Sequence, residues 1–216
     1  MPVDVKICGL STPETVMAAL DGGADFVGFN FYPKSPRYVS PSRARELARL
    51  ARGRARIVTL IVDAEDSLID EIAQVVDPDF FQAQGCETPE RIAEIGKRSG
   101  KPVIKAIKVE TLDDVVQARA FDGIAALILY DAKAPETLQG ALPGGNGIAF
   151  DWMLLGQGNA APSFLLAGGL NPGNVAEAIR VTGAPIVDVS SGVEKSPGIK
   201  DITLIREFIA AAKGAR

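Results

Sequence analysis

The sequence predicts an α/β fold: a single (β/α)8 barrel of the TIM type, with eight parallel strands, over residues 1–216. Three observations carry this expectation. Eight short apolar runs alternate with amphipathic stretches of helical period, the pattern of a parallel sheet with helices outside it. The runs are apolar on both faces, which suits strands covered on both sides. Divided among eight units, 216 residues leave 27 each, short for a fold whose lower limit is about 200 residues, but sufficient. An open doubly wound sheet is the rival. It would usually carry a Gly-rich fingerprint after its first strand, and here that strand ends Cys8-Gly9-Leu10-Ser11.

The expected strands are Val5–Cys8, Phe26–Phe31, Arg56–Val62, Asp79–Gln84, Val103–Val109, Ala125–Tyr130, Ser163–Ala167 and Ile186–Ser190. Most are rich in β-branched or aromatic residues. Between them the expected helices are Thr12–Asp21, Pro41–Ala51, Ser67–Val75, Thr88–Arg98, Thr111–Ala120, Pro172–Val181 and Asp201–Lys213. Ser11, Ser40 and Asn171 are capping residues with proline close behind, which marks helix starts. Asp131 to Phe150 is rich in Gly and Pro and reads as a loop, with a short helix near Asp151–Leu155.

Composition narrows the function. A net charge of -4 without a dominant basic block argues against a nucleic-acid partner. The basic stretch Arg43–Arg56 reads as the solvated face of a helix. No secretory leader or membrane-spanning run is visible, so the expected location is the cytoplasm, with no membrane partner. Cys8 and Cys86 lack metal-ligand spacing, and a reduced cytosolic protein is the simple reading. The chain has no histidine, so acid–base chemistry falls to Asp, Glu, Cys, Lys or Tyr.

In this fold, reacting groups sit at the C-terminal ends of strands and in the loops that follow. Gly168-Gly169, just before a helix start, and Ser190-Ser191-Gly192 occupy the usual phosphate-binding turns, where backbone N–H groups and hydroxyls approach an anion. Two tight turns that need glycine for backbone reasons are the alternative. Cys8 ends the first strand. It is either a buried small hydrophobe or a catalytic group favoured as thiolate by Lys6, which the period of two places on the same face. An inward Lys6 needs a carboxylate partner, and Asp188 on the adjoining strand is the candidate. Asp131 ends the sixth strand and either faces the mouth or caps the loop. Arg37 is either a bidentate clamp for a substrate carboxylate or a surface arginine in a rigid loop. Cys86 reads as structural or simply exposed.

These positions resemble one family. Lys6-Ile7-Cys8-Gly9, Phe31-Tyr32-Pro33-Lys34-Ser35-Pro36-Arg37-Tyr38, Gly168-Gly169-Leu170-Asn171-Pro172-Gly173-Asn174-Val175 and Val187-Asp188-Val189-Ser190-Ser191-Gly192-Val193-Glu194 are similar to motifs of phosphoribosylanthranilate isomerases, and Pro197-Gly198-Ile199-Lys200-Asp201 continues the match. The resemblance implies a (β/α)8 barrel of tryptophan biosynthesis that carries out an Amadori rearrangement on a small phosphorylated substrate, with no cofactor and no metal. It implies Cys8 as general base at C2 of the ribose and Asp131 as general acid at the ring oxygen. Arg37 would lie near the anthranilate carboxylate, and the two small-residue turns would form the phosphate site. Substrate contacts are also expected from Gln84 and Asp188. The chemistry then requires a raised Asp131 pKa and a lowered Cys8 pKa.

Two departures stand out. Gln84 occupies the place of the family's histidine in Leu-Gln-Leu-His-Gly. It can donate a hydrogen bond but cannot carry charge. Gly147-Ile148-Ala149-Phe150-Asp151-Trp152 replaces Gly-Lys-Thr-Phe-Asp-Trp, which predicts a looser loop after Asp131. These departures motivate an alternative, an impaired phosphosugar-binding barrel with a regulatory role. A Schiff-base aldolase using Lys105 is a third reading, set against a structural ion pair for that lysine. The expected assembly is monomer or homodimer.

Overall fold

The computed structural model describes residues 3–133, 143–147, 149–157, 160–161 and 163–215. Eight parallel strands pair in sequence order and close on themselves. They are β1 Asp4–Cys8, β2 Phe26–Asn30, β3 Arg56–Ile61, β4 Phe80–Ala83, β5 Val103–Val109, β6 Leu127–Ala132, β7 Phe164–Leu166 and β8 Ile186–Val189. Around them run α1 Pro13–Gly22, α2 Pro41–Ala51, α3 Asp66–Val75, α4 Pro89–Ser99, α5 Leu112–Gln117, α6 Met153–Gln157, α7 Val175–Thr182 and α8 Ile202–Lys213. β8 and β1 close the ring through Lys6 opposite Asp188.

The period of two sorts each strand. One set of side chains, including Val5, Ile7, Val27, Ile57, Phe81 and Val187, is buried in the larger apolar cluster that the helices cover. The alternate set, Phe26, Val58, Ile104, Ala106, Leu129, Leu165 and Ile186, forms a second cluster that fills the barrel interior, as this fold requires. At the N-terminal end the Arg56 guanidinium lies 4.6 Å from the centre of the Phe26 ring. Above the apolar layers the same inward face turns polar, with Lys6, Cys8, Gln82, Gln84, Asp131 and Asp188 all buried.

Helix starts follow the caps. Thr12, Ser40 and Thr88 each accept from the backbone N–H three residues on, with proline in the first turn. Three expectations shift. The helix expected from Pro172 starts at Val175, because Asn171 and Asn174 first close a turn: Asn171 Oδ1 accepts from Gly173 N–H and Asn174 Oδ1 from Asn171 N–H. The helix expected to reach Ala120 is α only to Gln117 and continues as a 3₁₀ turn, Ala118–Phe121. β6 runs on to Ala132, because Lys108 and Val109 still pair with Asp131 and Ala132. Asp131 therefore lies inside the strand rather than at its end. A small antiparallel pair, β9 Glu194–Ser196 and β10 Ile199–Lys200, follows β8. The basic stretch lies on the outer side as expected, with Arg43 on Glu46 and Arg54 on Asp21. Among the described residues no helix is long and apolar enough to cross a membrane.

Candidate active site

A cavity of about 740 Å³, counting its open mouth, sits at the C-terminal end of the barrel, within the size range of small-molecule sites. Cys8, Arg37, Gln84, Asp131, Gly168, Gly169, Asp188, Ser190 and Ser191 line it, together with Asn30, Gln82 and Pro143–Gly147. Every residue expected from the family resemblance to act on or bind the substrate, except Gly192, faces this one space. Gly192 packs behind it: a Cβ there would sit 1.8 Å from the Leu170 carbonyl oxygen. That glycine lets the turn after β8 lie against the turn after β7. Gly168 has φ +85° and the same kind of constraint, with Ala132 N 2.5 Å from a built Cβ. Both glycines thus have steric reasons as well as a place at the site.

Lys6 and Asp188 pair inside the barrel, with Nζ donating to Oδ1 over 2.9 Å. Burial acts against the ammonium most strongly of any single effect, but Asp188 and Cys8 together outweigh it and raise the Lys6 pKa. Cys8 does not behave as expected. Its pKa lies above the ordinary thiol value. Burial disfavours the thiolate, and Lys6, already paired with Asp188, only partly offsets it, while the Asp188 charge adds to the rise. Asp131 does behave as expected. Burial first, and then the Asp188 charge, raise it to about 7. The Ala132 backbone N–H, Gln84 and Lys108 pull the other way.

Arg37 is buried, at 5% exposure, so the surface reading fails. Its Nε and Nη2 donate to the two oxygens of Glu194 at 2.7 and 2.9 Å, and Nη2 also reaches the Gly145 carbonyl at 3.2 Å. One edge of the fork is therefore occupied by Glu194, and the Nη1 end is the part not engaged by it. The loop behind is held by Ser35 Oγ, which accepts from Arg37 N–H and Asn30 Nδ2. Lys200 completes the network, donating to Glu194 Oε1, Ser190 O and Ser190 Oγ at 2.7, 2.8 and 3.2 Å. Burial lowers the Lys200 pKa to about 8, with Glu194 opposing the fall. Glu194 and Lys200 fall inside sequence motifs already singled out, but only their tertiary meeting gives them a place.

Lys105 faces away from the interior, between inward Ile104 and Ala106. It donates to Glu87 Oε2 at 2.8 Å and Gly85 O at 2.7 Å, so the structure gives it the structural ion pair and places it away from the cavity. Cys86 is exposed. Of the loop after Asp131, residues 134–142 and 148 lie outside the described residues, so the expectation of looseness there falls outside them too. Pro143–Gly147 lie at the mouth.

Fold and site define a (β/α)8 barrel whose mouth gathers a thiol, an acid titrating near neutrality and two small-residue turns. Comparison with known proteins gives the particular family. The model of the family described as N-(5'phosphoribosyl)anthranilate (PRA) isomerase matches residues 5–211. An N-(5'-phosphoribosyl)anthranilate isomerase of Mesorhizobium japonicum is 48% identical over 216 residues, covering 100% of this chain and 98% of that one. The phosphoribosyl anthranilate isomerase of Thermotoga maritima superposes with a TM-score of 0.87 at 39% identity, over 98% of this chain and 99% of that one. A phosphoribosyl anthranilate isomerase in complex with reduced 1-(o-carboxyphenylamino)-1-deoxyribulose 5-phosphate gives 0.85 at 37% identity with the same coverage. This chain belongs to the N-(5′-phosphoribosyl)anthranilate isomerase family.

Proposed function

We propose that this chain, as one barrel domain, isomerises N-(5′-phosphoribosyl)anthranilate to 1-(2-carboxyphenylamino)-1-deoxyribulose 5-phosphate in tryptophan biosynthesis, with Asp131 as general acid and Cys8 as general base. The observation that carries the reading is the pair of groups at one mouth: a thiol on β1 and, on β6, an acid with a pKa near 7. Asp131 delivers its proton to the ring oxygen as the C1–O bond breaks, leaving an iminium at the anilino nitrogen. Cys8 removes the proton from C2, and the resulting enolamine tautomerises to the ketone. One proton enters and one leaves, so composition is unchanged. A carboxyl that keeps its proton near neutrality suits the first step.

The turns after β7 and β8 would take the phosphate. The Gly169 carbonyl accepts from Asn174 Nδ2 at 3.0 Å and Asn171 Nδ2 at 3.4 Å. Because the peptide is planar and trans, this fixes the following N–H on the opposite side, at a residue that lines the cavity. Ser190 and Ser191 add hydroxyls. The anthranilate carboxylate would meet the Nη1 end of Arg37, which Glu194 holds in place.

The reading keeps the chain in the cytoplasm, where exposed Cys86 would stay reduced. Monomer and homodimer remain the two assemblies compatible with it; the Thermotoga maritima relative is described as dimeric. The test is a fluorescence assay. Phosphoribosylanthranilate is generated in situ and loss of its anthranilate emission is followed. Wild type should accelerate the decay, and Asp131→Asn should be slower by roughly 10²–10⁴-fold. Folded wild type without turnover would refute the assignment.

A further inference from the structure

We infer that Gln82 and Gln84 are a positioning pair for Asp131: Gln82 fixes the amide of Gln84, and Gln84 fixes which carboxyl oxygen carries the transferable proton. The inference rests on Asp131 being the general acid.

Period two places Gln82 and Gln84 on the inward face of β4 and its end, beside β5 and one strand away from β6, which carries Asp131. Gln82 Nε2 donates to Gln84 Oε1 at 2.8 Å. Gln84 Nε2 donates to Asp131 Oδ2 at 2.9 Å and to the Pro143 carbonyl at 3.2 Å. The orientation of the Gln84 amide follows from its three neighbours. Turned over, its oxygen would face the Pro143 carbonyl, an acceptor against an acceptor. So the nitrogen lies between two oxygens, and the oxygen must find a donor, which Gln82 supplies. Asp131 Oδ2 then accepts from Gln84 whether or not the acid is charged, and the proton of the neutral form resides on Oδ1. A neutral amide cannot take that proton itself.

A second observation points the same way. Gln82 is 1% exposed, and its Oε1 has no hydrogen-bond partner among the described residues. A buried acceptor without a donor is destabilising, and a leucine of similar size would avoid it. The amide at position 82 is therefore accounted for by what its nitrogen does. Space above the relay is also closed, since a Cβ at Gly144 would stand 2.7 Å from Gln84 Nε2 and 2.9 Å from Asp131 Oδ2. The charged groups that act on Asp131 from neighbouring strands are Asp188 on β8, which raises its pKa, and Lys108 on β5, which lowers it. Gln84 on the β4 side also lowers it, so freeing Gln84 should let the Asp131 value rise.

The experiment is a ¹³C NMR titration of the Asp131 carboxyl, assigned by its loss in Asp131→Asn, in wild type, Gln82→Leu, Gln84→Leu and the double variant. Gln82→Met serves as a second variant that removes the donor without emptying the space. Both single variants should titrate above wild type. The double variant should titrate like Gln84→Leu alone, because Gln82 acts only through Gln84. Turnover of Gln82→Leu should fall about five- to tenfold in kcat, the rate equivalent of one lost hydrogen bond, with little change in KM. Folded Gln82→Leu and Gln82→Met that titrate as wild type, or a double variant in which the two effects add, would overturn the inference. Wild type without turnover but with the titration pattern intact would strike the isomerase assignment and leave the hydrogen-bond relay standing.

Discussion

Replacing Asp131 by asparagine should abolish most activity and yet stabilise the protein, by an amount that grows as pH rises from about 4 to 7 and is complete above neutral pH. Asp131 is 6% exposed, and burial with the nearby Asp188 charge raises its pKa from 3.8 to about 7. An acid whose folded pKa lies above the unfolded value binds its proton more tightly in the folded state. Its contribution to stability is complete below about 3.8 and is lost as pH rises through about 7. At about 1.4 kcal/mol per pH unit, the rise gives an upper figure of about 4 kcal/mol of destabilisation at pH 9. Asparagine removes the charge and keeps an oxygen to accept from Gln84 Nε2, so the variant should recover much of that figure. Recovery of about half, near 2 kcal/mol, corresponds to a Tm increase of roughly 4–8 °C for a chain of this size. Guanidinium unfolding of both proteins at about pH 5 and pH 9 measures it. The variant should gain at pH 9, and the gain should shrink toward pH 5. An equal difference at both pH values, or a variant less stable at pH 9, would refute the account of Asp131 as a buried acid held near neutrality.

Two further predictions follow from the same geometry. The Asp131 pKa of about 7 lies below that of Cys8, which burial raises above the ordinary thiol range. Between the two values one proton is distributed over the pair, and the reactive arrangement places it on Asp131. The profile of kcat/KM against pH should be a bell that falls below about pH 7, where both groups are protonated, and again above the Cys8 value, where neither is. Initial rates across that range test it, and activity that keeps rising below pH 6 would contradict it. Gly192→Ala drives a Cβ to 1.8 Å from the Leu170 carbonyl. Such overpacking should cost about 1–3 kcal/mol and spread the turns after β7 and β8; with the phosphate bound there as proposed, KM should rise more than kcat falls. Melting curves with steady-state kinetics would show it, and an unchanged KM would place the phosphate elsewhere.

Most of the ring was legible in the sequence, because strand period, helix caps and strand length are local properties. The same-face logic that joined Lys6 to Cys8, and both to Asp188, needed only the period of two and the neighbour relation of first and last strands. Local signals were weaker where a residue's fate depends on a distant partner. The extent of β6, and hence the place of Asp131 within it, was set by pairing with Lys108 and Val109. The start of α7 was set by two asparagines closing on each other before the helix could begin.

The sequence by itself determined the eightfold alternation, the shared face of Lys6 and Cys8 and the residue types that meet at the mouth. Tertiary structure decided their electrostatics and pairing. The Cys8 pKa rises rather than falls because desolvation depends on how deeply the barrel buries the thiol, and because Lys6 is shared with Asp188. Arg37 meets Glu194 from the far end of the chain, 157 residues away. Gln84 turns its nitrogen to Asp131 only because Gln82 and Pro143 leave it no other orientation. Charge energies and hydrogen-bond directions are sums over every neighbour in space, and those neighbours exist only once the barrel has closed.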